Sequence, residues 1–103
     1  MKDKIERVIA HHEELNYLLA DPTILNDHDK LKETAQEHSQ LAPIVLKGQE
    51  YLVILQHIAN DEEILAGDDS ELKEIAQEEL SGLKGIKVKL ENELKSDASP
   101  LVK

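Results

Sequence analysis

Five histidines and 22 acidic side chains are the residues of this chain that could take part in metal or acid–base chemistry. A zinc site on a helix needs two histidines three or four positions apart. His11 and His12 are adjacent and point about 100° apart on a helix, and no other pair has the required spacing. We therefore expect no metal site. His12 and His38 fall on apolar helix faces and are expected to be half-buried, with His11, His28 and His57 solvated.

The segment Asp27-His28-Asp29 resembles the start of a calcium-binding loop. Such a loop needs a glycine at its sixth position and a glutamate at its twelfth, and the sequence has neither there. An aspartate ahead of a helical pattern is typical of a helix cap instead. The glycines form no phosphate-binding loop, and no serine lies in a nucleophile-elbow context. We expect no catalytic, metal-binding or cofactor-binding residue, and no enzymatic activity, in this chain.

The balance of charge argues against nucleic acid as a direct ligand. The chain has 12 basic and 22 acidic residues, a formal net charge of −10, and only two aromatic residues, Tyr17 and Tyr51. Nucleic-acid binding depends on basic side chains that neutralise phosphates and on aromatic rings that stack on bases. Direct nucleic-acid readout by this domain is therefore not expected.

The cellular compartment is suggested by two further features of the composition. Cysteine is absent, which suits a reducing cytosol. The first residues are charged and every apolar run is short, so the sequence predicts neither a signal peptide nor a membrane span. We expect a cytoplasmic protein without membrane contact.

Apolar residues recur every three or four positions along three segments, which is the spacing of one helix face. The first segment covers about residues 2–20 and ends at Asp21-Pro22, because proline disfavours helical backbone in the residue before it. The second covers about residues 28–65 and has Asn26 or Asp27 as its cap.

Pro43 lies inside the second segment and leaves two alternatives open. The segment forms either one long kinked helix or two helices, with Pro43 in the first turn of the second. Gly48 follows one turn later and would weaken a helix by a further ~1 kcal/mol relative to alanine. We favour the single kinked helix.

The third segment covers about residues 70–95 and follows a turn at 66–69 in which glycine ends one helix. Asp69 or Ser70 is expected to cap it. Within its apolar pattern, three residues seven positions apart resemble a coiled-coil seam. The predicted apolar face consists of Leu72, Ile75, Ala76, Leu80, Leu83, Ile86, Leu90 and Leu94, and the seam of Ala76, Leu83 and Leu90.

These lengths predict an all-α, elongated antiparallel three-helix domain with a long middle helix and coiled-coil-like packing. Helix one would fold back on the first half of the middle helix and helix three on its second half. The domain would cover residues 1–95, with residues 96–103 as a tail or the start of an interdomain linker.

The negative charge is concentrated in one window. Residues 61–80 contain nine acidic residues and one basic residue, a net charge of −8. Because this window spans the turn between helices two and three, one end of the domain should be strongly acidic. Such a surface is either simply solvated or a docking surface for a basic partner.

Four sequence blocks occur in order along nearly the whole chain. They are Glu13-Glu14-Leu15 with Leu18-Leu19-Ala20-Asp21-Pro22, a helix start at 27–31, Leu41-Ala42-Pro43-Ile44-Val45 with Tyr51 six residues on, and the run from Asp69 to Leu80. This order resembles the amino-terminal helical domain of bacterial class I peptide chain release factors, of the release factor 1 type. Gly48 departs from the family, which more often has a bulky residue there.

The resemblance implies an accessory domain of a translation termination factor. Class I release factors recognise stop codons through a Pro-x-Thr motif. They trigger peptidyl-tRNA hydrolysis through a Gly-Gly-Gln motif, whose glutamine a dedicated methyltransferase modifies. Neither motif is in this chain: Pro22-Thr23-Ile24 has its threonine one place too early, and Gly48-Gln49 follows a lysine rather than a glycine. The methyltransferase would act on the parent factor outside this chain.

The same resemblance implies partners on the ribosome. The domain is expected near the GTPase-associated centre and its stalk-base protein, where it helps the class II release-factor GTPase to recycle the factor. UAA and UAG are the stop codons that the release factor 1 pattern suggests. The acidic end around residues 61–74 is expected to face protein rather than RNA.

A different class of function also fits the helical pattern. The seam at Ala76, Leu83 and Leu90 could pair between chains as readily as within one. The alternative is therefore a stand-alone cytosolic helical adaptor or a chaperone-like coiled-coil dimer.

Overall fold

The computed structural model describes the backbone of residues 1–98 and the side chains of residues 1–96. This part of the chain is helical and contains no strand. It measures 62 × 25 × 16 Å, with a radius of gyration of 18.5 Å, against about 13 Å for a compact domain of 100 residues. The predicted all-α, elongated architecture with a long middle helix is confirmed. The helices are α1 (Lys2–Leu18), α2 (Pro22–Leu25), α3 (His28–Leu65) and α4 (Ser70–Ala98).

The described residues form four helices rather than the predicted three, because the chain between the first two predicted helices contains the short helix α2. Asp21 is its amino-terminal cap: the Asp21 carboxylate accepts hydrogen bonds from the backbone N–H of Thr23, at 2.9 Å, and from the Thr23 hydroxyl. Pro22 occupies the first helical turn, where a missing N–H costs nothing and the fixed φ suits a helix. Asp21-Pro22 therefore ends α1 and also begins the next helix.

The middle helix α3 is continuous through Pro43, so the two-helix alternative is wrong. Pro43 cannot donate to the carbonyl of Ser39, and a proline inside a helix costs about 3 kcal/mol. Both residues are exposed, so water can reach that carbonyl. Leu41, Ile44 and Val45, on either side of Pro43, are buried in the core, and this packing keeps the helix intact.

The predicted caps of the long helices are confirmed, and two boundary details differ. Asp27 Oδ1 accepts from the N–H of Lys30 at 3.2 Å, and Asp69 Oδ1 accepts from the N–H groups of Glu71 and Leu72 at 3.1 Å. Within residues 1–98 no glycine has a positive φ, so Gly67 does not end α3 in the left-handed conformation. The helix α4 continues to Ala98, and residues 99–103 of the predicted tail lie outside the described residues.

Three helices meet in what we call the body of the domain. Its core joins the start of α1, the middle of α3 and the end of α4. Tyr51 lies at this junction, and its hydroxyl donates to Glu91 Oε2 at 2.8 Å. Burial, together with this hydrogen bond, raises the pKa of Tyr51 to about 12. The buried core residues are Ile5, Leu15, Leu41, Ile44, Val45, Tyr51, Leu90 and Leu94.

Gly48 allows α1 to lie against α3 at this junction. A Cβ atom at position 48 would be 2.8 Å from Ile5 Cγ2 and 3.7 Å from Ile9 Cδ1. Ile5 is itself buried, with 3% of its surface exposed, so its methyl group has little room to move. The glycine that weakens the helix in isolation is therefore a packing residue in the fold.

On the side of the body away from α2, only α3 and α4 pack together. We call this part the arm: residues 53–65 of α3 and 70–86 of α4. Its core is small, with Ile58, Leu80 and Leu83 buried and with Ile54 and Leu65 packed against them. The seam residues Ala76, Leu83 and Leu90 are all buried within this one chain. The seam is thus occupied by α3 rather than available to a second chain.

Three residues of the predicted apolar face of α4 are not in the core. Leu72, Ile75 and Ile86 are 48%, 60% and 43% exposed. Periodicity alone assigned them to the buried face, but α3 is a single helix and covers only a narrow strip of α4 here. They remain apolar residues on the surface.

No described helix is both long enough and apolar enough to span a bilayer.

We predict opposite effects of alanine at two helical glycines. Gly48→Ala should lower the free energy of unfolding by up to about 2 kcal/mol, because overpacking costs about 1–3 kcal/mol and alanine recovers about 1 kcal/mol of helix propensity. Gly82→Ala is the matched control, since no heavy atom lies within 4 Å of a Cβ placed there. It should raise that free energy by up to about 1 kcal/mol. Urea denaturation of both variants measures the difference, and equal stabilisation by both would contradict the close approach of α1.

Candidate interaction surface

The far end of the arm carries the concentrated negative charge. We call this surface the acidic tip and define it by the exposed acids on both sides of the α3–α4 turn. It has eight of the nine acids in the predicted window, with Lys73 half-buried among them. Asp69 also has a structural role as the cap of α4, where a negative charge is favourable beside the helix dipole. The acids of the tip are Glu62, Glu63, Asp68, Asp69, Glu71, Glu74, Glu78 and Glu79.

Asp61 is the ninth acid, and its position differs from the predicted one. It is 5% exposed, and its Oδ2 atom has no hydrogen-bond partner among the described residues. A buried polar atom without a partner costs free energy. The sequence indicated a solvated charge, because charge counts do not show which side of α3 turns toward α4. Asp61 is therefore a buried carboxylate at the base of the tip rather than part of its surface.

Two contacts establish how α3 and α4 are aligned. Tyr51 bonds to Glu91, and Lys47 Nζ lies 3.8 Å from Glu93 Oε2, so the helices run antiparallel. This register brings Asp61 level with Leu80. A residue three positions after a contact residue is rotated by about 60° around the helix axis. In an antiparallel pair this rotation points to the same side of the pair in both helices.

Histidines join α1 to the first half of α3. The rings of His12 and His38 stack with centroids 4.2 Å apart and planes 20° from parallel. His38 Nε2 also lies 2.5 Å from Asn16 Oδ1, and His12 Nε2 is buried without a partner. Both residues are half-buried, which confirms the sequence prediction. The stack itself was not predicted, although both histidines fall on the apolar faces of neighbouring antiparallel helices.

The remaining histidines are exposed, as predicted, and His11 has acidic neighbours. Its Nε2 contacts Glu37 Oε1, and its Nδ1 lies 3.6 Å from Glu14 Oε2. The hydrogen bond to Glu37 is the main reason that the pKa of His11 is raised, against a smaller effect of burial. Desolvation, followed by the charge of His38, lowers the pKa of His12. The pKa values of the two adjacent histidines are thus shifted in opposite directions.

In the described part of the chain, no group of three or more histidine, cysteine or acidic residues is placed to hold a metal ion. A shallow surface depression near the start of α3 is lined by Lys32, Ala35, Gln36, Ser39 and Gln40. The most prominent charged features are the acidic tip and the buried Asp61 beside it.

Comparison with known families agrees with the fold. A family model described as the PCRF domain matches residues 8–101. The chain therefore belongs to the PCRF domain family. Together with relatives named Peptide chain release factor 1, this match confirms the resemblance to release factors of the release factor 1 type.

Curated relatives carry the name Peptide chain release factor 1. One from Campylobacter jejuni subsp. jejuni is 42% identical over 95 residues, which is 92% of this chain and 26% of the relative. One from Magnetococcus marinus is 40% identical over 86 residues, 82% of this chain and 24% of the relative. One from Lactococcus lactis subsp. cremoris is 38% identical over 97 residues, 92% of this chain and 27% of the relative. The chain spans about a quarter of the length of these relatives. No solved structure matches it.

We predict that His11→Gln destabilises the domain only at low pH. Because the pKa of His11 is raised in the fold, its stabilising effect is complete below about pH 6.5 and is lost as the pH rises through the raised value. The loss should be up to about 1 kcal/mol at pH 5.5, as for an exposed ion pair, and near zero at pH 9. Glu37→Gln should show the same pH dependence. Denaturation at both pH values tests this, and a loss independent of pH would contradict it.

Asp61→Leu should stabilise the chain. Removing a buried carboxylate whose Oδ2 has no partner should raise the free energy of unfolding by about 1–3 kcal/mol. Glu62→Leu, at the neighbouring exposed position, is the control and should change it by less than about 0.5 kcal/mol. Thermal denaturation compares the two variants. Destabilisation by Asp61→Leu would show that this carboxylate has a favourable partner in the folded chain.

Proposed function

We propose that this chain is the amino-terminal accessory domain of a translation termination factor, which directs stop-codon-dependent release of the nascent peptide on the ribosome. The observation that carries the proposal is the 42% identity to a protein named Peptide chain release factor 1 over 92% of this chain. The release factor 1 pattern suggests UAA and UAG as the stop codons, and cytoplasm as the compartment.

The proposed role of the domain is non-catalytic. The codon-reading Pro-x-Thr and the catalytic Gly-Gly-Gln motifs do not occur in this sequence. We assign both activities, and the glutamine that the methyltransferase modifies, to other parts of the parent factor. This chain would contribute a rigid helical body and a projecting arm that positions the factor.

The acidic tip is the proposed docking surface. Its eight exposed acids would be repelled by ribosomal RNA and attracted to a basic protein surface. By the release factor resemblance, the docking site lies in the stalk-base protein region near the GTPase-associated centre. There the domain would help the class II release-factor GTPase to recycle the factor. RNA contacts and codon readout would belong to other domains.

Neutralising the tip should weaken ribosome binding. Changing five tip acids to their amides, with Asp69 left intact as the cap of α4, removes charge without changing side-chain size. At about 0.2–1 kcal/mol for each exposed pair, affinity for purified bacterial ribosomes should fall about tenfold. Sedimentation of the 103-residue chain with ribosomes at several salt concentrations measures this. The substitutions are Glu62→Gln, Glu63→Gln, Asp68→Asn, Glu71→Gln and Glu74→Gln.

A control with the same net charge separates the tip from general electrostatics. It changes five exposed acids of α1 and α3 outside the tip, and it should bind at least as well as the unchanged chain. Stronger binding of the tip variant would mean that the tip lies beside RNA, and equal binding of both variants would contradict docking through the tip. The control substitutions are Asp3→Asn, Glu6→Gln, Glu13→Gln, Glu33→Gln and Glu50→Gln.

A further inference from the structure

We infer that the side of the arm opposite α1 binds a basic amphipathic helix of a protein partner, with apolar residues of the arm as the contact and Asp61 as a charge receptor. The inference deepens the proposed function and rests on it only for the location of the partner, which is the ribosome. Its physical basis is the placement of apolar, acidic and buried polar residues on one side of the α3–α4 pair.

The antiparallel register places several exposed or half-buried apolar residues on this side. Ile64 lies six positions after the buried Ile58, and Ile86 lies three positions after the buried Leu83. Residues three or six positions after a contact residue turn to the same side of the pair in both helices. Ile75 lies eleven positions, about three full turns, before Ile86 and is therefore on the same face of α4. Val53 lies six positions after Lys47, which contacts Glu93 of α4. Val53 is therefore on this side of the pair as well. We call this set the outer stripe: Val53, Ile64, Leu72, Ile75 and Ile86.

The exposure of the outer stripe is high for residues of this type. Val53 and Ile75 are 52% and 60% exposed, and Ile64 is half-buried. Contiguous apolar surface that is rimmed by polar residues is typical of protein interaction sites. On the other side of the arm the corresponding exposed positions are polar or small: Gln56, Ala59, Glu63, Gln77 and Lys84. Within the arm, the large apolar residues at the surface therefore lie on one side, and the exposed Val88 on the other side lies beyond the arm.

Open space in the middle of the stripe allows a helix to approach. Gly82 lies six positions after the buried Ala76, on the same side as Ile75 and Ile86, and a Cβ there would have no neighbour within 4 Å. The stripe therefore has a shallow gap between its apolar side chains. A partner helix could lie along this gap with its own apolar residues on Ile75 and Ile86.

The charges around the stripe specify a basic partner. Glu71, Glu78 and Glu79 are exposed beside it. Asp61 lies three positions after Ile58 and so turns to this side, where it is 5% exposed with Oδ2 unpartnered. A lysine or arginine that reached Asp61 would supply the missing partner in a desolvated position, where a charged hydrogen bond is stronger than in water.

The same charges disfavour the other occupants. A second copy of this chain would bring acids against acids, because each copy has a net charge of −10. RNA would meet the carboxylates with its phosphates. A protein helix with one apolar and one basic face satisfies both the apolar contact and the charge.

The test uses the 103-residue chain and a synthetic 18-residue peptide with leucines on one helical face and lysines on the other. A scrambled peptide of the same composition has the same charge and no apolar face. Binding is measured by calorimetry at 150 mM salt. The ordered peptide should bind at least tenfold more tightly than the scrambled one, because only it can bury leucines on the outer stripe.

Matched variants locate the binding face. Ile75→Ser should weaken binding of the ordered peptide about tenfold, while Val88→Ser should change it less than twofold. Val88 is a suitable control because it is 55% exposed on the same helix, about 140° around from Ile75. Asp61→Asn should also weaken binding, by about threefold or more. Equal effects of the two serine variants, equal binding of the two peptides, or an unchanged affinity of Asp61→Asn would overturn the inference.

Failure here is distinguishable from failure of the proposed function. Ile75→Ser retains every acid of the tip, so in the ribosome-binding assay it isolates the apolar contribution. Peptide binding through the stripe without any ribosome binding would leave this inference intact and overturn the proposed function. Ribosome binding that depends on the tip acids, without selective binding of the ordered peptide, would do the reverse.

Discussion

The close approach of α1 to α3 at Gly48 is the contact that the rest of the structure depends on. Ile5 lies where a side chain at position 48 would be, and Tyr51, Leu90 and Leu94 pack in the same core. Three helices therefore meet at one level of the long middle helix. Packing there compensates both for the helix-weakening glycine and for Pro43 one turn earlier. Because α3 is held as one continuous helix, its second half can project away from the body.

The projecting arm has a different balance of forces from the body. Its buried apolar cluster is small, with Ile58, Leu80 and Leu83, and beside it is a carboxylate with an unpartnered oxygen. Local stability follows buried apolar contacts, so the arm should open more readily than the body. The unpartnered Asp61 carboxylate should lower the stability of the free chain. A bound partner that bonds to this carboxylate would recover that free energy. In the proposed function, the acidic tip and the outer stripe form the recognition surface of the arm, and the body keeps it in position.

Much of the fold is readable from sequence, because its signals are local. The caps Asp27 and Asp69 are each one of two adjacent residues that the sequence predicts, and the three long helices follow from apolar spacing and from the prolines. Contacts between helices were not predictable in this way. From the sequence Gly48 only weakens a helix, but in the fold Ile5 lies against it. Asp61 is a solvated charge by sequence, but in the fold it is buried between α3 and α4. Ile75 is a core residue by its spacing, but α3 is too narrow to cover it. The concentration of acid at one end was visible in the sequence, whereas the apolar face beside it required the register of α3 and α4.

The central functional claim is that the acidic end of the arm meets protein on the ribosome. Site-specific photo-crosslinking tests it most directly, with a photoreactive residue at position 68, which is exposed in the turn between α3 and α4. With the chain bound to ribosomes, the account predicts that the crosslinks formed from this position are to ribosomal protein, and that their yield falls as salt is raised. Crosslinks predominantly to ribosomal RNA would contradict it.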